Sequence, residues 1–292
     1  MIKAISNEYL KVKINTHGAE ISSVKSTTHG LEYIWSGDKK YWARHAPILF
    51  PIVGRLKDNQ YTYDGKTYEM GQHGFARDME FDVLDQGSDW IDLQLVSNEE
   101  TKKLYPFAFK LVIHYELDDH KLSTNINVFN TDTKEMYFSV GAHPAFNVPL
   151  VKDGSEQYDD YSVKFANKGT YDQIQFDVPY ANLEKVEKIE LDQPIKLSHE
   201  LFYDDAKVVE IKNKEFTTIL SNNVSDHGVS MTAYDIEYGG LWSAKNAPFV
   251  CLEPWWGIAD DVHTDGKIEH KVGINKISPD KKFTAKYDLL FF

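Results

Sequence analysis

The sequence predicts an all-β fold, a large antiparallel β-sandwich with little helix, and three observations carry that expectation. Apolar residues recur with period two, turn-forming Gly, Asn and Asp separate the runs at short intervals, and only residues 98–104 offer a helix, of one or two turns. In PFAFKLVIHYEL, Phe107, Phe109, Leu111, Ile113 and Tyr115 alternate with other residues, and Leu122, Thr124, Ile126 and Val128 repeat the pattern after a turn at 118–120. Side chains two apart share a strand face, so both runs require one buried face. YTYDGKTYE sets Asp64-Gly65 between two β-prone runs, a tight-hairpin signal because both turn positions need positive φ. Further strands are expected at 9–14, 19–26, 79–84, 90–96, 136–142, 207–211, 216–220, 228–234 and 281–291. Residues 151–205 alternate weakly and hold several prolines, so they are expected to form long loops over one face. Without linker or repeat, residues 1–292 are read as a single domain.

Composition narrows the partners. A formal net charge of −13 opposes nucleic acid and anionic membranes, and the basic residues are scattered rather than gathered in a stripe. Cys251 has no internal disulfide partner, the start MIKAISNEYLKVKI lacks the apolar core of a signal peptide, and no run is long enough to span a bilayer; a cytoplasmic location is expected. No phosphate-cradling glycine loop, HExxH, paired CxxC or GxSxG elbow is present, which excludes dinucleotide, zinc-protease and serine-hydrolase chemistry.

The segment CLEPWWGIAD is the most informative. Phe249, Val250, Cys251 and Leu252 read as a buried strand ending at Glu253, and a carboxylate there must be paired or used. Two tryptophans follow, and an indole face suits the C–H face of a sugar ring. Three other loops hold candidate side chains between Gly and Pro residues: Arg55 in FPIVGRLKDNQ, His73 in GQHGFARD and His143 in GAHPAFNVP. Each has an ordinary alternative: Glu253 braced by Arg55 or Lys245, His143 bonded to backbone beside Pro144, and arginine as a loop brace. Trp255 and Trp256 point in opposite directions if the chain is extended; Trp256 is taken as the sugar-facing one. His114 lies opposite the apolar face of its strand and is read as exposed. Asn147, Asp260 and Lys57, near the motifs, are read as solvated.

In their order, HGAEISSV, PILFPIVGRL, GQHGFARD, GAHPAFNVP and CLEPWWGIAD resemble the aldose 1-epimerase (galactose mutarotase-like) family, in its LacX-like branch, over nearly the whole chain. The resemblance implies a β-supersandwich, no cofactor and no metal, and interconversion of the α and β anomers of a sugar or sugar phosphate. It matches Glu253 to the general base, His143 to the general acid, and His73 and Arg55 to substrate-holding positions, with Trp242 at a position special to this branch. In KLSHELFYDD, Ser198 precedes His199 where many relatives carry a sugar-binding aspartate, which leaves that role either vacant or moved to Asp204 or Asp205, and galactose in question as the sugar.

Opening the ring requires a proton taken from the C1 hydroxyl and one given to the ring oxygen, so an ionised Glu253 and a charged His143 are expected together. Apolar neighbours would raise the first pKa and lower the second. A sugar-binding or sensing protein without turnover is the alternative, and a glycoside hydrolase ranks last because one carboxylate stands out where two are needed.

Overall fold

The computed structural model describes residues 1–292. Strands hold 53% of the chain and helices 8%, so the all-β expectation is met. The spine is one curled antiparallel sheet in the order Tyr180–Glu190, Thr170–Asp177, Lys207–Asn222, Gly228–Trp242, Lys282–Phe291, Lys121–Asn130, Phe109–Asp118, Trp90–Val96 and Asp82–Gln86. Alternation decides which side is buried: in Phe109–Asp118 the inward residues are Phe109, Leu111, Ile113, Tyr115 and Leu117. They meet Leu122, Ile126 and Val128 across the ladder, with Ile126 opposite Ile113 and Val128 opposite Leu111. Truncating one of these buried isoleucines to Ala would cost about 2–5 kcal/mol, since the transfer loss and the cavity add.

The turn chemistry acts where the sequence places it. Asp64 and Gly65 take φ of 49° and 70° between Gln60–Tyr63 and Lys66–Glu69, and Asn98 caps the helix Glu99–Leu104 by accepting from the backbone of Glu100 and Thr101. His114 does lie on the outer face, half-buried, with Nδ1 2.8 Å from an Asp92 carboxyl oxygen.

Two expectations are corrected. Residues 207–211 and 216–220 belong to a single strand, Lys207–Asn222, interrupted by a bulge between Glu210 and Asn213 where Lys212 has φ 51°. The extra residue breaks the period of two and hides the continuity from the sequence. Asp235, at φ 46°, bends the neighbouring Gly228–Trp242. One end of that strand pairs with Lys282–Phe291, and residues 238–242 pair with Phe249–Trp256.

The region 151–205 is not a set of long loops. It contains Tyr161–Phe165, Thr170–Asp177, Tyr180–Glu190 and Ile195–Lys196. Tyr180–Glu190 is exposed along much of its length, so no buried face imposes an alternating pattern on its residues. The tip of its hairpin with Thr170–Asp177 still covers one face of the protein, where Phe176, Val178 and Pro179 border a cavity. No helix is long and apolar enough to cross a membrane.

Candidate active site

The strand Phe249–Trp256 is buried at every residue. It is flanked on one side by residues 238–242 and on the other by two short strands, Val140–Ala142 and Ala145–Asn147. Between those two lies His143-Pro144. Proline has no N–H to give a ladder, and the break falls beside Leu252, whose N–H donates to the Pro144 carbonyl. The backbone N–H of His143 donates instead to Pro47. On the far side Gly240 faces Glu253 in the register. A Cβ at 240 would come within 3.2 Å of the Glu253 Cβ and 3.3 Å of the Trp255 ring, so glycine there leaves room for both side chains.

His143 and Glu253 meet in the resulting gap: Nε2 of the imidazole is 3.1 Å from Oε2 of the carboxyl. Glu253 is 1% exposed and His143 7%. No other cation pairs with Glu253: Arg55 donates to Asn59, and the Lys245 ammonium lies over the Tyr203 ring. The bracing role open to Glu253 from sequence therefore has no partner. Burial holds the Glu253 carboxyl well above its ordinary range, a push that Asp205 reinforces and the Trp255 indole partly offsets. Burial likewise pulls the His143 imidazole below its ordinary range, and Arg77 and Arg44 add to this. Both directions match the expected effect of apolar surroundings. Both shifts favour the uncharged forms, the direction opposite to the ionised Glu253 and charged His143 that ring opening requires.

The pair opens on a cavity of about 450 Å³, within the range of small-molecule sites. Trp42 stacks on the His143 ring at 4.9 Å between centroids, and Trp242 meets it edge-on at 5.4 Å. His73 meets the same ring edge-on at 5.8 Å. Its backbone sits at φ 63°, its N–H donates to the Gly54 carbonyl, and the Gly54 N–H donates to its Nδ1. That bond fixes the tautomer, leaving Nε2–H as the donor, and burial keeps the ring uncharged. The following Gly74 is held at φ 71° with its Cα against the Phe50 carbonyl, where an added Cβ would stand 2.2 Å from the oxygen.

Arg55, Arg77, Gln72 and Asp205 supply the polar lining. Arg77 is largely buried; one Nη donates to the Gln72 carbonyl, Nε has no partner, and burial lowers its guanidinium to about 10, still charged at neutral pH. The nearby Asp78 carboxylate is 3.8 Å from Arg77 and only 2.9 Å from Arg44.

A scan against family descriptions matches residues 1–255 to the aldose 1-epimerase family. The chain belongs to that family. It is 32% identical to the protein LacX, in both chromosomal and plasmid forms, of Lactococcus lactis subsp. lactis, over 98% of this chain and 97% of the relative. Among solved structures it resembles a galactose mutarotase related enzyme from Lactobacillus acidophilus, with TM-score 0.98 and 39% identity over 100% of this chain and 97% of that one. It also resembles a galactose mutarotase-like protein from Lactobacillus casei ATCC 334, with TM-score 0.90 and 32% identity over the full length of both.

Of the residues expected at the site of this aldose 1-epimerase family member, Glu253, His143, His73, Arg55 and Trp242 all border the one cavity. Trp256 does not. Its ring lies in the core and its Nε1 donates to the Tyr234 carbonyl, while Trp255 borders the cavity. The sequence carried the signal: Trp255 is two residues from Glu253 and shares its strand face, whereas Trp256 takes the opposite one. Of the two aspartates considered beside Ser198, Asp205 borders the cavity and Asp204 is exposed outside its lining. His199 stacks on Tyr158 outside the lining. Asn147 and Asp260 are buried rather than solvated, Asn147 donating to the carbonyls of Glu32 and Ile34 and Asp260 lying against Lys271 while accepting from the Lys57 N–H. Trp42, Gln72 and Arg77 were missed. Arg77 stands in the same GQHGFARD segment as His73, but nothing local marks Trp42.

Proposed function

We propose that this chain is a mutarotase that opens and recloses the pyranose ring of a hexose or hexose phosphate, exchanging its α and β anomers. The 3.1 Å contact between a buried carboxyl and a buried imidazole on the wall of a sugar-sized cavity carries the reading. One group takes the proton from O1 while the other gives a proton to O5, the C1–O5 bond breaks and C1=O1 forms. Rotation about C1–C2 and the reverse transfers close the ring on its other face.

Glu253 serves as base and His143 as acid, which requires the carboxylate and imidazolium forms. That form holds as many protons as the uncharged pair, so it is reached by one proton moving between the two side chains without exchange with solvent. Sugar hydroxyls donating to the carboxylate favour the shift. Each correctly placed group contributes about 10²–10⁴ in rate, ample for a reaction that already proceeds in water. The tryptophans offer apolar faces to the ring carbons, and His73 Nε2–H and Asp205, both on the cavity wall, bond hydroxyls.

The guanidinium groups of Arg55 and Arg77 favour a phosphorylated hexose as the better substrate, since the buried Nε of Arg77 has no hydrogen-bond partner and only a distant carboxylate, Asp78 at 3.8 Å. Polarimetry of freshly dissolved hexoses and hexose 6-phosphates tests the reading: approach to anomeric equilibrium should quicken in proportion to protein. Binding of sugar with no gain in rate would instead assign a sensing role.

A further inference from the structure

Cys251 is two residues from Glu253 on the same strand and therefore projects to the same face. It does not border the cavity and has no part in the proton transfers above. Its sulfur nevertheless completes a compact trio: one ring nitrogen of His143, Sγ of Cys251 and a carboxyl oxygen of Glu253 all lie within 4.8 Å of one another, and all three residues are buried. Oε2 of Glu253 has only the Nε2 of His143 beside it, at 3.1 Å, and Nδ1 of His143 is buried without a hydrogen-bond partner. Buried polar atoms so sparsely paired are costly in a folded interior, and a ligand able to engage them recovers that cost.

The donor set is imidazole, thiol and carboxyl. Around a tetrahedral zinc ion, with Zn–S about 2.3 Å and Zn–N or Zn–O about 2.0–2.2 Å, adjacent ligand atoms stand roughly 3.3–3.7 Å apart. The His143–Glu253 contact of 3.1 Å is a little shorter than that spacing, and drawing in the sulfur takes on the order of 1 Å, within reach of side-chain torsions. Thiolate with imidazole selects zinc over magnesium or calcium.

We propose that His143, Cys251 and Glu253 form a site for one thiophilic divalent cation of the Zn²⁺ class. The ion enters through the cavity, whose wall includes His143 and Glu253, and Cys251 closes the site from behind. Three protein ligands leave a fourth position facing the cavity for water or a sugar hydroxyl. Binding sends the thiol and carboxyl protons to solvent and forms metal–sulfur, metal–nitrogen and metal–oxygen bonds, with no change of oxidation state. The ion acts as an inhibitor, because it occupies the lone pairs that would move protons. That consequence rests on the proposed function, whereas the binding itself does not.

Cobalt titration of the full-length protein tests the site, and the single cysteine makes the readout specific. Co²⁺ should produce an intense thiolate-to-metal charge-transfer band with the visible bands of a tetrahedral ion, saturating at one equivalent and erased by Zn²⁺. Cys251→Ser and Cys251→Ala should lack the band. If the proposed function holds, they should also keep anomer exchange within about twofold, since a small buried group is exchanged for one of similar size, and need at least about tenfold more Zn²⁺ for half-inhibition. A folded wild-type protein without the band overturns the site, as does a band or Zn²⁺ sensitivity that survives in both variants. A band in a protein that exchanges no anomers supports the site while removing the proposed function.

Discussion

Replacing Glu253 with Gln should lower activity and raise stability together. The carboxyl is 1% exposed, and the one ionisable group that pairs with it is an imidazole pulled toward its uncharged form. Glutamine keeps the shape but cannot accept the O1 proton. Loss of one acid–base group lowers kcat/KM by about 10²–10⁴, or roughly 3–5 kcal/mol of transition-state stabilisation. Stability moves the other way. A carboxyl held well above its ordinary 4.5 means that the folded chain retains a proton which the unfolded chain gives up. The wild type therefore loses stability as pH climbs from 4.5 toward the folded value. The glutamine side chain has no such proton to lose, so the advantage of Glu253→Gln in Tm should widen upward from pH 4.5. Polarimetry with thermal unfolding at several pH values measures both effects. Near-normal turnover would remove Glu253 as base, and a variant less stable than wild type at neutral pH would mean that the carboxyl braces the fold.

Four further outcomes follow from the same geometry. Because the pair works with one shared proton, kcat/KM should be bell-shaped in pH, with an acid limb below the ordinary histidine value of 6.5 and an alkaline limb above the ordinary carboxyl value of 4.5; the Glu253→Gln variant's residual activity should lack the acid limb, since no base is left to protonate. His143→Gln should be more stable than wild type below pH 6.5, since a lowered imidazole pKa costs the wild type stability as pH falls through that window, and acid unfolding curves check it. Arg77→Gln should raise KM for a hexose 6-phosphate about 10- to 100-fold, the worth of a charge-assisted hydrogen bond, with little change for the unphosphorylated sugar in steady-state kinetics. Trp255→Phe should raise KM at a smaller cost in stability than Trp256→Ala, which should lose about 3–5 kcal/mol in denaturant unfolding.

Much of this was legible in the sequence wherever one physical rule acted alone. Strict alternation in 107–128 gave the inward residues, and Asp64-Gly65 and Asn98 marked a hairpin and a helix start through local backbone chemistry. Legibility failed where a second effect intervened. The bulge at Lys212 split one long strand into two apparent ones, and Tyr180–Glu190, lacking a buried face along much of its length, looked like loop. At the site, the histidines and Arg55 stood out because glycine and proline flank them. Trp42 did not, because its place over His143 arises from tertiary packing alone. Strand parity from Glu253 points to Trp255 rather than to the adjacent Trp256. The uncharged state of the pair depends on burial from several segments at once, which no single motif encodes.

The most direct test of the account is the structure of a sugar complex, read for the distances from O1 and O5 to Glu253 and His143. A pyranose is expected in the cavity with O1 and O5 each within hydrogen-bond reach of one member of the pair, at opposite sides of the C1–O5 bond, and a C6 phosphate, where present, on Arg55 or Arg77. A sugar seated with C1 turned away from both side chains would contradict it.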